Sequence, residues 1–431
     1  MRNQSVVVDR LVEEVMLRLQ DASSVKDGGI FSDMNEAVEA CFAAQKKLTA
    51  LSLGKRAEII EAIRKASAGH SEEISELAVA ETKMGNIGHK IIKNRLAAAK
   101  TPGLEDLRSD SFTGDNGLTL VELSPYGVIG AITPTTNPTE TIICNSIGMI
   151  AAGNGVVFSP HPTAKNVSLR MVDIINKAIT GAGGPQNLVS TVSNPSLEQV
   201  GVLMAHPKVN MLVATGGPAV VKAVLSSGKK AIGAGAGNPP ALVDETADIE
   251  KAAKDIIDGC SFDNNLPCIA EKEIIVVERV ADYLIFCMKG CGAFFIEDGV
   301  TLRRLEELLT PDGAVNKEYI GKSASYILNA VGISCKDDVK VISMEVPLSH
   351  PFVQHELMMP VLPLVRVKDI EEGYKAALQA EHAFRHTAVM HSQNVRAYPS
   401  SLKRSRRLFS SKTARPTRVS ESAERATLHL P

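Results

Sequence analysis

The segment Val128-Ile-Gly-Ala-Ile-Thr-Pro-Thr-Thr-Asn137-Pro-Thr combines a short apolar strand with a Pro/Asn turn that opens a helix. This pattern of strand, turn and helix recurs downstream, with strands predicted at Gly155–Ser159, Leu188–Val192 and Val209–Ala214. Such alternation predicts an α/β fold with a doubly wound parallel sheet and ligands at the carboxyl ends of its strands. A second alternating series, from Cys268 to about Met390, predicts a second α/β domain.

Size and composition favour a globular protein of two or three domains. The chain has 431 residues, of which 44% are hydrophobic, and its formal net charge is -2. A charge so close to zero gives no reason to expect nucleic acid or an anionic membrane as a partner. No apolar run reaches the roughly 18 residues of a membrane span, and Asp9, Glu13 and Glu14 interrupt any signal-peptide core. We therefore expect no membrane association.

The cysteines indicate a reducing compartment. There are seven of them, an odd number scattered along the chain, which favours thiols and a cytoplasmic location. Cys287 and Cys291 lie on one face of a predicted helix, Ala281 to Cys291, but no histidine or second cysteine pair is near enough in sequence to complete a zinc set. We therefore predict no metal site.

One cysteine stands out by its surroundings. The segment Ser261-Phe-Asp-Asn-Asn-Leu-Pro-Cys268-Ile-Ala-Glu-Lys272 places it in a Pro-containing turn between a predicted helix, Ile249–Gly259, and a β-branched strand, Glu273–Val277. A cysteine at such a junction can lie at the floor of a cleft with backbone N–H groups directed past it. Thiol nucleophilic catalysis on a carbonyl requires both features. The alternative is that Cys268 is a buried small hydrophobic residue.

Two glycine-rich turns accompany the motifs at Asn137 and Cys268. Lys229-Lys-Ala-Ile-Gly-Ala-Gly-Ala-Gly-Asn-Pro-Pro240 opens from a strand into a loop, and Val213-Ala-Thr-Gly-Gly-Pro218 places a turn between a strand and a helix. The order Thr-Asn-Pro, Thr-Gly-Gly, Gly-Asn-Pro-Pro and then a cysteine resembles the aldehyde dehydrogenase superfamily. The motifs Asn-Leu-Pro-Cys-Ile-Ala-Glu-Lys and His-Thr-Ala-Val-Met-His-Ser392 resemble those of its CoA-acylating branch. Within that branch they are most similar to the propionaldehyde and acetaldehyde dehydrogenases of propanediol- and ethanolamine-utilisation microcompartments. The likeness covers roughly residues 1–398.

This resemblance implies that a short aldehyde, propionaldehyde or acetaldehyde, is oxidised to acyl-CoA with NAD and coenzyme A. Cys268 would be the nucleophile, forming a thiohemiacetal and then a thioester. The oxyanion donors would be the side-chain amide of Asn137 and the backbone N–H of Cys268. Asn137 could also be a turn or N-cap residue, since Pro138 suits the first position of a helix, and both roles can hold together.

The resemblance also implies where the cofactors bind. The turn at residues 215–217 would lie near the pyrophosphate, where glycines and a helix N-terminus favour an anion. Ser159 replaces a lysine that many relatives carry beside the adenosine ribose, which weakens a preference for NADP and fits a pocket that also admits the adenosine of CoA. Glu356 would hold the nicotinamide ribose, with a surface carboxylate as the alternative. The implied cofactor contacts are Thr215, Gly216, Gly217, Ser159, Pro160, His161 and Glu356.

Two further positions bear on the choice between CoA and water. In hydrolytic members of the superfamily a glutamate activates water, and its position corresponds to Gly233 here. Without a carboxylate there, water lacks a general base and transfer to CoA is favoured. His386 and His391 flank an apolar strand and are interpreted as structural rather than as acid–base groups.

The N-terminal residues predict a targeting element. Val8, Leu11, Val12, Val15 and Leu19 form an apolar stripe on a helix within residues 1–20, and residues 21–30 read as a flexible linker. In the microcompartment enzymes a helix of this kind resembles an encapsulation tag, which implies a shell protein as partner and a place in the microcompartment lumen. The alternative is a helix that caps its own domain.

The remaining domain boundaries follow from the resemblance and from composition. An NAD- and CoA-binding domain is predicted at 31–260 with an oligomerisation hairpin near 117–125, a catalytic domain at 261–398, and an atypical basic, disordered tail at 399–431. The hairpin implies a homo-oligomer. After Asn394 the family pattern stops, so we expect a truncated or altered C-terminal part. The alternative function is then a catalytically impaired passenger of the microcompartment.

Overall fold

The computed structural model describes residues 28–335, 338–394 and 409–410. The chain forms two compact units, each described by itself: unit 1 runs to Lys83 and resumes at Lys90–Gly235, and unit 2 comprises Met84–His89 and the chain from Ala236. The predicted targeting helix, the linker up to residue 27 and nearly all of the predicted tail lie outside the described residues. In the part that is described, no helix is both long and apolar enough to cross a membrane.

Unit 1 is built on a parallel sheet. Its strands, with the separate hairpin β2–β3, are β1 (Ile30–Phe31), β2 (Asp110–Gly114), β3 (Gly117–Val121), β4 (Val128–Thr133), β5 (Gly155–Pro160), β6 (Val189–Val192), β7 (Val209–Thr215) and β8 (Lys230–Ala234). Its helices are α1 (Met34–Thr49), α2 (Leu53–Gly69), α3 (Ser71–Thr82), α4 (Ile87–Lys100, which begins in unit 2), α5 (Pro138–Ala151), α6 (Lys165–Gly181), α7 (Leu197–Ala205) and α8 (Pro218–Leu225). The strand order is β1-β6-β5-β4-β7-β8.

Helices cover both faces of this sheet. Apolar residues of α2, α3, α5 and α6 pack on one face, together with Ala44 and Leu48 near the end of α1. Residues of the first half of α1 pack on the other face with those of α7 and α8. Every residue of β4 and β5 is buried as a result, as expected for parallel strands with continuous apolar runs. The strands predicted from residue 128 to residue 214 are therefore confirmed to within a residue or two at their ends.

The hairpin β2–β3 is antiparallel and exposed. Phe112, Leu118 and Leu120 are 60–69% exposed. It includes most of the predicted segment near 117–125, although β3 ends at Val121.

Unit 2 contains a second parallel sheet, of order β11-β12-β13-β10-β9-β14-β15. Its strands are β9 (Pro240–Val243), β10 (Glu273–Val277), β11 (Ala293–Ile296), β12 (Val341–Glu345), β13 (Val361–Val367), β14 (Ala388–His391) and β15 (Phe409–Ser410). Its longer helices are α9 (Ile249–Ser261), α10 (Glu278–Gly290), α11 (Gly299–Leu309), α12 (Ala324–Ala330), α13 (Pro351–Gln354) and α14 (Ile370–Ala380).

The boundary between the units lies earlier in the chain than residue 260. The strand β9 pairs with both β10 and β14, and α9 packs against β9 and β10 in one apolar cluster. These elements therefore belong to unit 2, although the sequence placed them in the first domain. The predicted strand Glu273–Val277 is confirmed, and all of it is buried.

Candidate active site

In unit 1 the predicted cofactor segments follow three neighbouring strands. Asn137 lies in the turn after β4, residues 215–217 end β7, and residues 159–161 end β5. The chain places β5 and β6 on one side of β4, then β7 and β8 on the other. The gap between β4 and β7 is thus the topological switch point, where sheets of this kind bind ligands.

The turn after β7 is open. Gly216 donates its N–H to the Ala234 carbonyl at 3.1 Å, and Gly217 occupies the N-cap position of α8 without a side-chain cap. A Cβ atom on Gly217 would have no heavy atom within 4 Å. First-turn N–H groups of a helix that lack such a cap suit a phosphate.

The turn after β5 exposes fewer of the predicted cofactor contacts than the sequence implied. Ser159 is 1% exposed, and its hydroxyl has no hydrogen-bond partner among the described residues. Pro160 is also buried, whereas His161 is exposed and its Nδ1 lies 2.8 Å from Thr163 Oγ1. Of these three predicted contacts, only His161 lies on the surface of unit 1.

Asn137 is the N-cap residue of α5, yet its side chain makes no capping hydrogen bond. Its Oδ1 accepts instead from Lys93 Nζ at 2.6 Å. The capping role left open by the sequence is therefore not adopted, and the side chain is held by α4.

In unit 2 the predicted site residues precede four adjacent strands. Glu356 lies before β13, Cys268 before β10, Gly237 before β9 and His386 before β14. Because these strands are neighbours in the order β13-β10-β9-β14, their amino ends lie side by side. The four loops therefore enter one edge of the sheet.

The turn that carries Cys268 has an unusual backbone. Asp263, Asn264 and Asn265 have φ values of 49°, 54° and 65°, a left-handed conformation that costs free energy for residues other than glycine. Asn264 donates its amide to the Gly321 carbonyl at 2.8 Å. Asp263 accepts from the Asn86 N–H at 2.8 Å. Side-chain contacts thus hold a conformation that the backbone alone would not favour.

Lys272 supports this turn from within the unit. Its Nζ donates to the Asn265 carbonyl at 2.9 Å, to Asn265 Oδ1 at 2.6 Å and to the Pro267 carbonyl at 3.3 Å. The Asn265 amide donates in turn to the carbonyls of Cys260 and Glu271, both at 3.0 Å. Pro267, the residue directly before Cys268, is therefore hydrogen-bonded to Lys272, which directly precedes the buried strand β10.

Three of the loops meet at Gly237. A Cβ atom on Gly237 would lie 2.9 Å from the Cys268 carbonyl oxygen and 2.9 Å from His386 Cγ. The backbone N–H of Gly237 is close enough to the carboxylate of Glu356 to lower its pKa, against the effect of burial. The structure thus brings Cys268, His386 and Glu356 together around one glycine, and Cys268 is partly exposed there.

The charges in this cluster are shaped by burial. Burial lowers the pKa of Lys272, and Glu356 acts in the opposite direction. Burial raises the pKa of Glu356, and Lys272 offsets part of that effect. Burial also lowers the pKa of His386 below its ordinary 6.5, so the imidazole is neutral at pH 7 and can accept a proton.

The two histidines therefore differ. His386 lies next to Gly237, as does the Cys268 carbonyl. The apolar strand after His386 gives no sign of this placement, so the sequence favoured a structural role only. His391 is buried at the other end of β14, and burial lowers its pKa to about 4. A buried neutral imidazole is consistent with its interpretation as structural.

Gly233 lies in β8 and packs closely against α8. A Cβ atom there would lie 2.6 Å from Val221 Cγ1 of α8, so residue 233 faces the helix layer of unit 1. Side chains alternate along a strand, and the next residue, Ala234, is exposed. Neither Gly233 nor Ala234 carries a carboxylate.

The chain is similar to several known proteins. The profile of the aldehyde dehydrogenase family matches residues 13–289. Acetylating acetaldehyde dehydrogenase EutE of Salmonella typhimurium is 44% identical over 400 residues, which cover 90% of this chain and 85% of that enzyme. CoA-propanoylating propanal dehydrogenase of Citrobacter freundii is 46% identical over 374 residues, covering 86% and 81%. The chain belongs to the aldehyde dehydrogenase family.

Solved structures agree with this assignment. Propionaldehyde dehydrogenase of Rhodopseudomonas palustris with bound propionyl-CoA matches with a TM-score of 0.89 at 56% identity, covering 93% of this chain and 89% of that one. The same enzyme is also known with CoA and an acylated cysteine. Propionaldehyde dehydrogenase from a fucose-utilisation microcompartment of Clostridium phytofermentans matches at 0.88 and 48%, covering 90% and 89%. An engineered glycolyl-CoA reductase with bound NADP+ matches at 0.89 and 55%, covering 92% and 90%. The predicted aldehyde dehydrogenase-like fold is confirmed.

Three consecutive charged residues behind Cys268 are buried: Glu271, Lys272 and Glu273. Burial raises the pKa of Glu271 to about 7, with Asp255 acting in the same direction and Lys272 against it. Burial also raises the pKa of Glu273 well above that of an ordinary glutamate. Neither carboxyl oxygen of Glu273 has a hydrogen-bond partner among the described residues. The folded protein thus retains protons on carboxyl groups that would be ionised in the unfolded chain.

We expect Glu271→Gln to remove a pH-dependent loss of stability. Folded Glu271 keeps its proton up to about pH 7, whereas an unfolded glutamate loses it near 4.5. Its contribution to the free energy of unfolding therefore falls as the pH rises through that window. A shift of this size is worth on the order of 3 kcal/mol. In thermal unfolding, the gain in midpoint of the variant over wild type should be larger at about pH 8 than at about pH 5. A gain that is the same at both pH values would contradict the assignment.

Proposed function

We propose that this chain oxidises propanal or acetaldehyde to the corresponding CoA thioester, with NAD+ as hydride acceptor. The observation that carries the proposal is the cluster around Gly237, which lies next to the Cys268 carbonyl, the ring of a neutral His386 and the carboxylate of Glu356. A neutral imidazole in this cluster can act as the general base that activates a thiol. The relatives named for acyl-CoA formation support the same reaction.

The first chemical step uses the thiol of Cys268. His386 takes the thiol proton, and the sulfur forms a bond to the aldehyde carbon while the carbonyl π electrons move to oxygen. The oxyanion accepts hydrogen bonds from the Cys268 N–H and the Asn137 amide. The oxyanion then re-forms its C=O bond as hydride leaves, and the product on Cys268 is a thioester. Bound NAD+ supplies the acceptor for that hydride.

The second step transfers the acyl group to CoA. Once His386 has released its proton to water, it can accept the proton of the CoA thiol. The CoA sulfur then forms a bond to the thioester carbon, and the bond to Cys268 breaks, so the thiolate of Cys268 is restored. Because positions 233 and 234 lack a carboxylate, water has no general base there, which supports acyl transfer over hydrolysis.

The cofactor contacts in this proposal are distributed over both units. The open turn at Thr215, Gly216 and Gly217 would take the pyrophosphate, and Glu356 would bind the nicotinamide ribose. The end of β5, with His161 on the surface behind Ser159 and Pro160, would contact an adenosine. We propose NAD+ rather than NADP+, since a serine replaces the lysine at position 159, although one similar structure holds NADP+.

We also propose a homo-oligomer, formed through the exposed hairpin β2–β3. Three large apolar side chains on a two-stranded hairpin are more than half exposed, and a contiguous apolar surface of this kind favours a protein partner. The passenger alternative finds no support in the comparisons. Every residue assigned here to the chemistry lies within the described part of the chain.

Cys268→Ala should abolish acyl-CoA formation, because no other group in this cluster can form the thioester. NAD+ binding should remain close to that of wild type. Cys291→Ala is the matched control, since Cys291 has a similar partial exposure but lies at the end of α10, and it should retain full activity. NADH production from propanal with CoA measures the reaction. Turnover by the Cys268 variant would show that another group is the nucleophile.

Gly237→Ala should lower kcat/KM on the order of tenfold to hundredfold, since small displacements of reacting groups have effects of that size. The added methyl would lie 2.9 Å from the Cys268 carbonyl oxygen, so the turn must shift. Gly235→Ala is the control in the same loop, because its Cβ atom would have no neighbour within 4 Å. Equal activities of the two variants would mean that the contact at Gly237 does not position Cys268.

Residues 1–20 are proposed to bind a shell protein and to direct the enzyme to the microcompartment lumen. A fluorescent protein that carries residues 1–30 should then enter microcompartments in cells that form them. Leu11→Glu with Val15→Glu should leave the fusion diffuse, because a charge cannot be buried unpaired in an apolar groove. Arg10→Glu, outside the apolar stripe, is the control. A diffuse wild-type fusion would mean that the helix caps its own domain.

A further inference from the structure

We propose that Lys93 is a positioning residue that presents the NH2 group of Asn137, rather than its oxygen, as the hydrogen-bond donor. The inference rests on the proposed role of Asn137 in binding the oxyanion. It concerns residues of unit 1 alone, in the turn between β4 and α5 and on the facing side of α4.

The orientation of the Asn137 amide follows from its contact with the lysine. Lys93 Nζ lies 2.6 Å from the side-chain oxygen of Asn137. A lysine ammonium has three donors and no acceptor, so only the oxygen of the amide can lie next to it. The NH2 group must then point away from α4. One of its hydrogens is directed at Thr136 Oγ1, at 3.3 Å, which leaves the second for a ligand.

Lys93 is itself fixed by a carboxylate. Its Nζ lies 3.0 Å from Glu140 Oε1, and the two side chains are 10% and 12% exposed. Thr139 donates its hydroxyl to the other carboxylate oxygen at 3.2 Å. The ammonium is therefore held between two oxygens with little access to water. A hydrogen bond from a cation also polarises the amide, which strengthens its N–H groups as donors.

The main chain at this turn is held separately. Lys90, one turn earlier on α4, donates to the Thr136 carbonyl at 3.2 Å, and Thr141 Oγ1 donates to the Asn137 carbonyl at 2.6 Å. The backbone position of Asn137 thus does not depend on Lys93. What Lys93 determines is the side-chain orientation, at the expense of the helix cap that an asparagine normally forms at this position.

The test is a double-mutant cycle between Lys93 and Asn137. Lys93→Met is combined with Glu140→Gln, so that no carboxylate is left unpaired. This pair should lower kcat for propanal oxidation roughly tenfold to hundredfold with little change in KM, since loss of an oxyanion donor lowers kcat by about 10²–10³. In an Asn137→Ala background the same pair should have less than about a twofold effect. Glu140→Gln alone is measured as the reference for the pair. Lys100→Met, which removes an exposed charge at the end of α4, is the control and should stay close to wild type.

A spectroscopic measurement gives the same comparison without turnover. Cys268 acylated from propionyl-CoA labelled with 13C at the carbonyl carbon has a thioester stretch that falls when donors bind its oxygen. The frequency should rise by a similar amount in Asn137→Ala and in the Lys93→Met, Glu140→Gln protein. Equal losses of kcat with and without the Asn137 side chain, or an unchanged frequency in the lysine variant, would overturn the positioning role. Full activity of Asn137→Ala would instead remove the proposed oxyanion role, and this inference with it.

Discussion

A lysine shielded from water determines the shape of the turn that carries Cys268. Lys272 is 3% exposed, and its three N–H bonds are directed at three oxygens of Asn265 and Pro267. Three acceptors require all three hydrogens of an ammonium, so the buried charge is compensated by hydrogen bonds. Asn265 is in turn bonded to the end of α9 and to residue 271. Polar contacts, rather than apolar packing, thus fix the residue before Cys268, and loss of any one would leave buried polar groups unpaired.

The assigned residues lie at opposite ends of the strands in the two sheets. In unit 1 the assigned segments follow the carboxyl ends of β5, β4 and β7, as expected of a doubly wound sheet. In unit 2 the assigned residues precede the amino ends of β13, β10, β9 and β14. The second sheet therefore serves as a rigid edge from which four loops leave side by side. A contact at one glycine, Gly237, is enough to relate three of these loops, because the strands behind them cannot shift independently.

Much of the fold could be predicted from sequence, because β4 and β10 are short segments rich in β-branched residues between clear turn residues. The helix α4 is hard to predict, since its Gly-His-Lys start and mixed charges show no regular apolar stripe. The strand β9 begins with a proline directly after the glycine-rich loop, and proline is tolerated at the first position of a strand. The motifs identified Asn137 and Cys268. The place of His386 could not be read, because it depends on the strand order β9-β14, which no local pattern encodes. The direction in which a side chain at position 233 would point depends likewise on the register of β8 against β7.

In each unit, buried charged residues lie next to the residues assigned to the reaction. Glu271, Lys272 and Glu273 would be expected on the surface from their side chains alone, yet each is 3% exposed or less. In unit 1 the pair of Lys93 and Glu140 is nearly as well shielded. Such groups usually destabilise a fold relative to apolar residues of the same volume. In unit 1 Lys93 contacts Asn137, and in unit 2 Lys272 contacts the turn before Cys268. The buried lysines therefore lower stability but fix the position of a residue assigned to the reaction. Charged residues, which are normally exposed, are thus buried next to the residues assigned to the reaction.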